Sequence, residues 1–236
     1  TKVFNHAFAH SLEDAVGLID KYKGHHNTFI AMSTFKTQKR EASSTKFVKS
    51  FYLDLDVGEN KEYASQKDAL NALNNFIEQS QLPMPAIVNS GNGIHVYWFL
   101  KHQITRDEWK PLADKLKKFC IDMGLRIDPS VTADSARILR CPDTNNYKSE
   151  PPRPTLILKD APVYELKRIT SCIESKEVPL EELVLLHNFT DEEKKLKYGN
   201  IENKFEVLLR NSIKESDQGC AQVKYYIDNV KTASEP

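Results

Sequence analysis

The chain has 236 residues, 40% of them hydrophobic and 28% charged, which predicts an ordinary globular protein of one to two domains whose core needs no disulfide or structural metal. No apolar run approaches the roughly 18 residues of a membrane span, so no membrane partner is expected, and no targeting segment is legible at the N-terminus. Net charge is zero, which argues against a nucleic-acid partner; its distribution softens that objection, since residues 1–160 carry 22 Lys/Arg against 19 Asp/Glu, and residues 161–236 carry 11 against 14.

In chain order, residues 11–23 read as a helix, with Leu12, Val16, Leu18 and Ile19 spaced for one buried face. Residues 27–35 read as a strand and 36–45 as a polar loop. The basic run Lys36, Lys39, Arg40, Lys46 and Lys49 begins in that loop and reads either as phosphate contacts or as a solvated surface. Residues 48–57 are β-rich and stop at Gly58. An amphipathic helix over 63–79 follows, with Leu70, Leu73, Phe76 and Ile77 on one side, and Pro83 and Pro85 punctuate its exit. Short strands at 86–89 and 94–100 flank Ser90-Gly91-Asn92-Gly93, which is strong hairpin punctuation. Thr105 is a candidate N-cap for a helix ending at Gly124, with Asp107 and Glu108 in its first turn. Pro111 inside it predicts a kink or a later start. Strand-like pieces follow at 126–131, 137–140 and 155–158.

Beyond about residue 162 the character changes, and 178–187, 190–197, 200–214 and 218–230 all read as helices. The expected division is therefore a domain over 1–160 and a small helical domain over 161–236. The chain runs from Thr1 to Pro236, and a piece cut from a longer polypeptide is the expectation. Among Cys120, Cys141, Cys172 and Cys220 none lies two to four residues from another, so no zinc knuckle is written locally. Reduced thiols in a cytoplasmic protein are the plain reading.

Between residues 48 and 140 the element order is β-α-β-β-α-β. The expected fold class is thus α+β, with a ferredoxin-like, RNA-recognition-like core. In its usual antiparallel order 4-1-3-2, the end of the first strand meets the starts of the third and fourth. Candidate chemistry falls at those three places. Asp54 and Asp56 are two residues apart on a strand, so both carboxylates face one side. Close carboxylates repel unless a cation lies between them, and hard oxygen ligands suit Mg²⁺ or Mn²⁺. The plainer reading is a strand end whose acids face water. His95 opens the third strand just after a turn where Ser90, Gly91 and Gly93 would let backbone and hydroxyl groups approach a phosphate; a lone histidine is otherwise usually structural. Asp128 begins the fourth-strand region and can reach the same corner, and three acids suffice for two divalent ions. Arg137, Arg140 and Lys148 are cations placed to neutralise a triphosphate, or ordinary surface pairs, and Asp134 is a second acidic candidate.

These segments resemble the three motifs of the archaeo-eukaryotic primase superfamily, in its phage and plasmid primase-polymerase branch. Tyr52-Leu53-Asp54-Leu55-Asp56 is similar to its first motif. The stretch from Ser90 through His95 to Trp98 is similar to the second, and Ile127-Asp128-Pro129-Ser130-Val131 to the third. The run from Asp134 to Pro142, and then Asn146-Tyr147-Lys148, resembles the continuation. The match spans roughly residues 28–160. It implies a catalytic domain in which Asp54, Asp56 and Asp128 bind two Mg²⁺ or Mn²⁺ ions. It also implies that His95, helped by Ser90, holds the phosphates of an incoming dNTP or NTP. A single-stranded DNA template, a downstream helicase domain or subunit, a role in DNA replication, and action in the cytoplasm (the host's, for a phage protein) are implied with it. The zinc-binding cysteine cluster that some members carry is absent from the sequence. Two rival readings are an Asp-nucleophile phosphatase of parallel α/β fold and a non-catalytic RNA-recognition-like module that stacks bases on sheet aromatics.

Overall fold

The computed structural model describes residues 5–174; the four helices expected between 178 and 230 lie outside the described residues. Its elements are α1 (Leu12–Lys23), β1 (Phe29–Ala31), β2 (Ser33–Phe35), a single 3-10 turn (Ala42–Ser44), β3 (Thr45–Leu55), α2 (Gln66–Ser80), β4 (Ala86–Asn89), β5 (Ile94–Thr105), α3 (Arg106–Asp122), α4 (Pro129–Thr132), β6 (Ile138–Arg140), β7 (Thr144–Asn146), β8 (Arg153–Lys159) and α5 (Leu166–Glu174).

Local signals set the helix starts. Ser65 caps α2 by accepting from the Asp68 amide at 3.1 Å. Thr105 and Glu108 form a reciprocal capping box on α3, which fixes its start upstream of Pro111, so the helix runs on through the proline. No helix among the described residues is long and apolar enough to cross a membrane.

Six strands form one sheet in the order β2-β3-β5-β4-β8-β7, while β1 and β6 make a separate two-stranded ribbon. Every pairing between these strands is antiparallel, with parallel contact only at the isolated bridges Val57–Tyr63 and Leu100–Tyr164, which excludes the parallel sheet the phosphatase reading requires. The β3-β5-β4 order is that of strands 1-3-2 in the expected core. The fourth strand is a correction. Residues 126–131 form no strand, because Asp128 caps α4 and Pro129 occupies its first turn. Residues 138–140 are a strand but pair with β1, and β2 takes the place beside β3. The single strand expected over 27–35 is likewise split: the Met32 amide bonds the Arg137 carbonyl at 2.9 Å, and the chain changes sheets there.

The period of two divides β3 and β5 cleanly. Phe51, Leu53 and Leu55 pair with Trp98, Val96 and Ile94, all fully buried in the core shared with α2 and α3. The opposite parity carries Tyr52, Asp54, His95 and Tyr97. Tyr52 and Tyr97 are buried as well, and the Tyr52 hydroxyl donates to the Asp134 carbonyl at 2.8 Å. Buried in this way, these two aromatics offer bases no open platform. Residues 161–174, beyond the expected domain boundary, pack into this same core through Ala161, Ile169 and Cys172.

Cys120, Cys141 and Cys172 are free and buried; Cys220 lies outside the described residues. Burial pushes the Cys141 thiol up to about 12 and the Cys120 thiol well above its ordinary range. Because the thiolate is the nucleophile, native protein at pH 8 should leave both unalkylated by iodoacetamide, and denaturant should expose them. Peptide mapping by mass spectrometry reads this directly; rapid native labelling of Cys141 would show that the segment before β7 opens.

Candidate active site

Asp54 and His95 are direct cross-strand partners on β3 and β5. Asp54 Oδ1 lies 3.9 Å from His95 Nε2, beyond hydrogen-bond length. The Asp54 side chain is only 19% exposed, and among the described residues no donor reaches its carboxylate. Burial, then the charges of Asp56 and Asp128, raise its pKa to about 7 against the pull of Arg137 and Lys148. An acid so placed is strongly under-compensated.

The other two acids adjoin it. The Asp128 amide donates to the Asp54 carbonyl at 2.9 Å, so Asp128 sits beside the end of β3 although it lies on no strand. Its Oδ1 accepts from the Ser130 amide at 2.8 Å and hydroxyl at 2.7 Å. Asp56 follows β3 and its Oδ2 accepts from Lys61 Nζ at 2.8 Å. That ammonium is held above its ordinary pKa first by this bond and by Asp56, then by the charges of Asp128 and Asp54. Lys61 is thus the corner's own counter-ion, and nothing in the sequence reading singled it out.

The turn between β4 and β5 is tied internally. Ser90 Oγ accepts from the Gly93 amide at 3.1 Å and donates to the Gly93 carbonyl at 3.0 Å. The Gly91 amide donates to Asn89 Oδ1 at 2.7 Å. Ser90 and these amides therefore shape the turn before they can meet a phosphate. The glycines serve close approach: a Cβ on Gly93 would lie 2.7 Å from the Leu55 carbonyl oxygen, and one on Gly91 (φ 91°) 2.6 Å from Asn146 Cβ. Asn146 Nδ2 donates to the Ser90 carbonyl at 3.0 Å, pinning the turn from β7.

Of the cations, Arg140 is buried, donates to Asn27 Oδ1 at 2.6 Å and lies 4.8 Å over the Phe29 ring. Its charge acts on both His95 and Asp54. Arg137 donates to the Ser130 carbonyl and hydroxyl at 2.9 and 3.1 Å, bracing the loop that carries Asp128. Lys148 is exposed and contributes charge to Asp54. Asp134 Oδ1 caps the turn at Ala136 at 3.0 Å. In the basic run, Arg40 Nη1 donates to the Ala136 carbonyl at 2.6 Å, while Lys36, Lys39 and Lys46 are exposed beside it.

His95 is buried, and burial, then Arg140, push its pKa down to about 3. Its Nδ1 lies 3.2 Å from the Tyr97 hydroxyl. Tyr97 was missed from sequence, although two residues along a strand places it on the histidine's own face. Asn27 and Asn146, both remote in sequence from what they hold, carried no such signal.

Among the described residues, no three His, Cys, Asp or Glu side chains converge closely enough to hold a metal ion as they stand. The donor chemistry nonetheless suits a divalent cation: three carboxylates that repel one another, the most buried of them lacking any donor. Lys61 and Ser130 each hold an oxygen of Asp56 and Asp128, and drawing the three acids together on a cation means exchanging those bonds.

No protein-family model and no curated protein sequence matches the chain. Among solved structures it is similar to the AEP domain of the cyanophage S-2L primase-polymerase, at 15% identity and a TM-score of 0.49 over 66% of this chain and 76% of that one. It is also similar to the polymerase domain of Mycobacterium tuberculosis ligase D in complex with DNA, at 15% identity and a TM-score of 0.36 over 76% of this chain and 60% of that one.

Proposed function

We propose that this chain is a template-directed nucleotidyltransferase of the primase-polymerase kind, acting on dNTPs or NTPs along a single-stranded DNA template. The observation that carries the reading is Asp54. It is a largely buried carboxylate with no donor among the described residues, set against a buried histidine and flanked by two further acids. A fold gains nothing in stability from such an arrangement, and sites of this kind are where function is kept. The three motif resemblances meet at this corner.

Asp54, Asp56 and Asp128 would hold Mg²⁺ or Mn²⁺. In two-ion form that metal supplies activation of a 3′-hydroxyl and neutralisation of the transferring phosphates. The remaining work belongs to the chain. His95 faces the acids with Nε2 and donates to a phosphate oxygen. Arg140 adds positive charge near His95 and Asp54, Lys148 adds it near Asp54, and Arg137 keeps the Asp128 loop in place. The pinned Ser90–Gly93 turn fixes the start of β5, and with it the histidine. Such preorganised charge and position are the main protein contribution to phosphoryl transfer.

The test is extension of a labelled primer, and separately synthesis of a new one, on single-stranded template with Mg²⁺ or Mn²⁺ and with dNTPs or NTPs. Template-dependent incorporation is expected; its absence under every condition overturns the proposal. His95→Ala should keep the fold and weaken nucleotide binding roughly tenfold to a hundredfold, as loss of a hydrogen bond to a charged group does. Titration calorimetry with nucleotide and metal measures it, and unchanged affinity would return His95 to a structural role.

A further inference from the structure

We infer that Tyr97 is the positioning residue that sets the tautomer of His95, holding the proton on Nε2 so that the ring presents a donor, not a lone pair, to the acidic corner. The inference deepens the nucleotide-binding reading of His95 and rests on it for its functional consequence, but the tautomer itself does not.

The geometry leaves two arrangements for a neutral ring, which carries one N–H and one lone pair. In the first, the Tyr97 hydroxyl donates to Nδ1 across their 3.2 Å contact, and Nε2 bears the hydrogen. In the second, Nδ1–H donates to Tyr97 and Nε2 is bare. Two observations decide between them. Tyr97 is 5% exposed, and among the described residues its hydroxyl has no hydrogen-bond partner besides His95. In the second arrangement its O–H proton would be buried with no acceptor, which is strongly disfavoured. At the other end of the ring, Nε2 faces Asp54 Oδ1 at 3.9 Å.

Tyr97 is itself immobilised. Its ring is parallel to Phe99 within 2° at a centroid distance of 5.7 Å, and stands edge-on to His95. All three side chains lie on one face of β5, at its alternate positions 95, 97 and 99. The consequence is chemical. A phosphate oxygen is an acceptor only, so a histidine serves it only when the nitrogen facing it carries hydrogen, and the other nitrogen's partner determines which one does.

The experiment is long-range ¹H–¹⁵N correlation NMR on the full chain with ¹⁵N-labelled histidine, the His95 signals being identified by their loss in His95→Asn. Wild type should show a pyrrole-type shift at Nε2 and a pyridine-type shift at Nδ1. Tyr97→Phe, which removes one oxygen and keeps the ring stack, should shift His95 toward the other tautomer or a mixture. It should also weaken nucleotide binding roughly two- to tenfold, the range for one neutral hydrogen bond. In a His95→Ala background the same change should cost nothing further, because Tyr97 acts only through the histidine. A proton on Nδ1, a doubly protonated ring, or a tautomer indifferent to Tyr97→Phe overturns the inference. If the tautomer is as stated but His95→Ala binds nucleotide normally, the positioning stands and the nucleotide-binding reading falls. An additional affinity loss from Tyr97→Phe without His95 would make Tyr97 a merely structural residue.

Discussion

Asp54→Asn should abolish nucleotide addition, by about a hundredfold or more, while making the metal-free protein more stable. The activity loss follows from removing a charged ligand whose electrostatic contribution is several kcal/mol, each 1.36 kcal/mol being tenfold in rate. The stability gain follows from burial. The folded chain holds the Asp54 proton up to about pH 7, against an ordinary 3.8. Below about pH 4 the group is protonated whether folded or not, and its burial costs nothing. Between there and pH 7 the unfolded chain ionises first, so folding becomes less favourable as pH rises, and the full cost is present above the folded value. Asparagine has no such cost. In EDTA the variant should therefore melt several degrees higher than wild type at pH 8 and at the same temperature near pH 4. Retained primer extension would remove Asp54 from the reaction, and equal melting at pH 8 would mean that the acid is better solvated than its surroundings indicate. Gain of stability on loss of activity is the signature of a site kept for function.

Gly93→Ala should be among the most damaging single-methyl changes in the described chain. The new Cβ would lie 2.7 Å from the Leu55 carbonyl oxygen and 3.6 Å from Asp54 Oδ1. A backbone carbonyl held in a β ladder has nowhere to go, so the turn must lift off the end of β3. A cost of about 2–4 kcal/mol is expected, seen as a drop of roughly 5–15 °C in melting temperature. Nucleotide addition should fall further than stability alone explains, because the same displacement separates His95 from Asp54. Gly17→Ala is the control. It sits inside α1 with nothing within 4 Å of a Cβ, and alanine is the better helix former, so it should be neutral or stabilising. Identical melting of the Gly93 and Gly17 variants would show that the turn yields freely.

The parts of the site legible in the sequence were those written in local periods. Asp54 beside His95 follows from a period of two, a glycine-rich turn and antiparallel pairing, all within about forty residues. Asp128 lies beside Asp54, but at a helix start and not on the strand expected. Asp-Pro-Ser is a helix start, with an N-cap side chain and a proline where no N–H is needed, and the expected fold overrode that local signal. The fourth strand failed for a different reason. β6 pairs with β1 across more than a hundred residues, and β8 with β4 across about seventy, and no local pattern encodes which distant edge a short strand will choose. Tyr97 was readable by the same period that placed His95. Asn27, Lys61 and Asn146 were not: Asn27 and Asn146 reach partners 56 to 120 positions away, and Lys61 meets Asp56 five positions away with no repeating pattern to mark it.

The Asn27 side chain accepts both Arg140 Nη1 at 2.6 Å and the Tyr147 amide at 3.0 Å, across 113 and 120 positions of sequence. A contact of that span forms late, because the closure entropy of the intervening chain must be met before the bond returns anything. The β4–β5 hairpin, by contrast, can form early and locally. The hairpin that carries His95 and the bracket that holds Arg140 thus belong to different stages of folding and, by the same logic, to different levels of local opening. A fluctuation that releases Asn27 would loosen Arg140 and the approach to β7 while Asp54 and His95 stay paired. The corner would then keep its negative charge and lose the cation beside it, without the sheet unfolding.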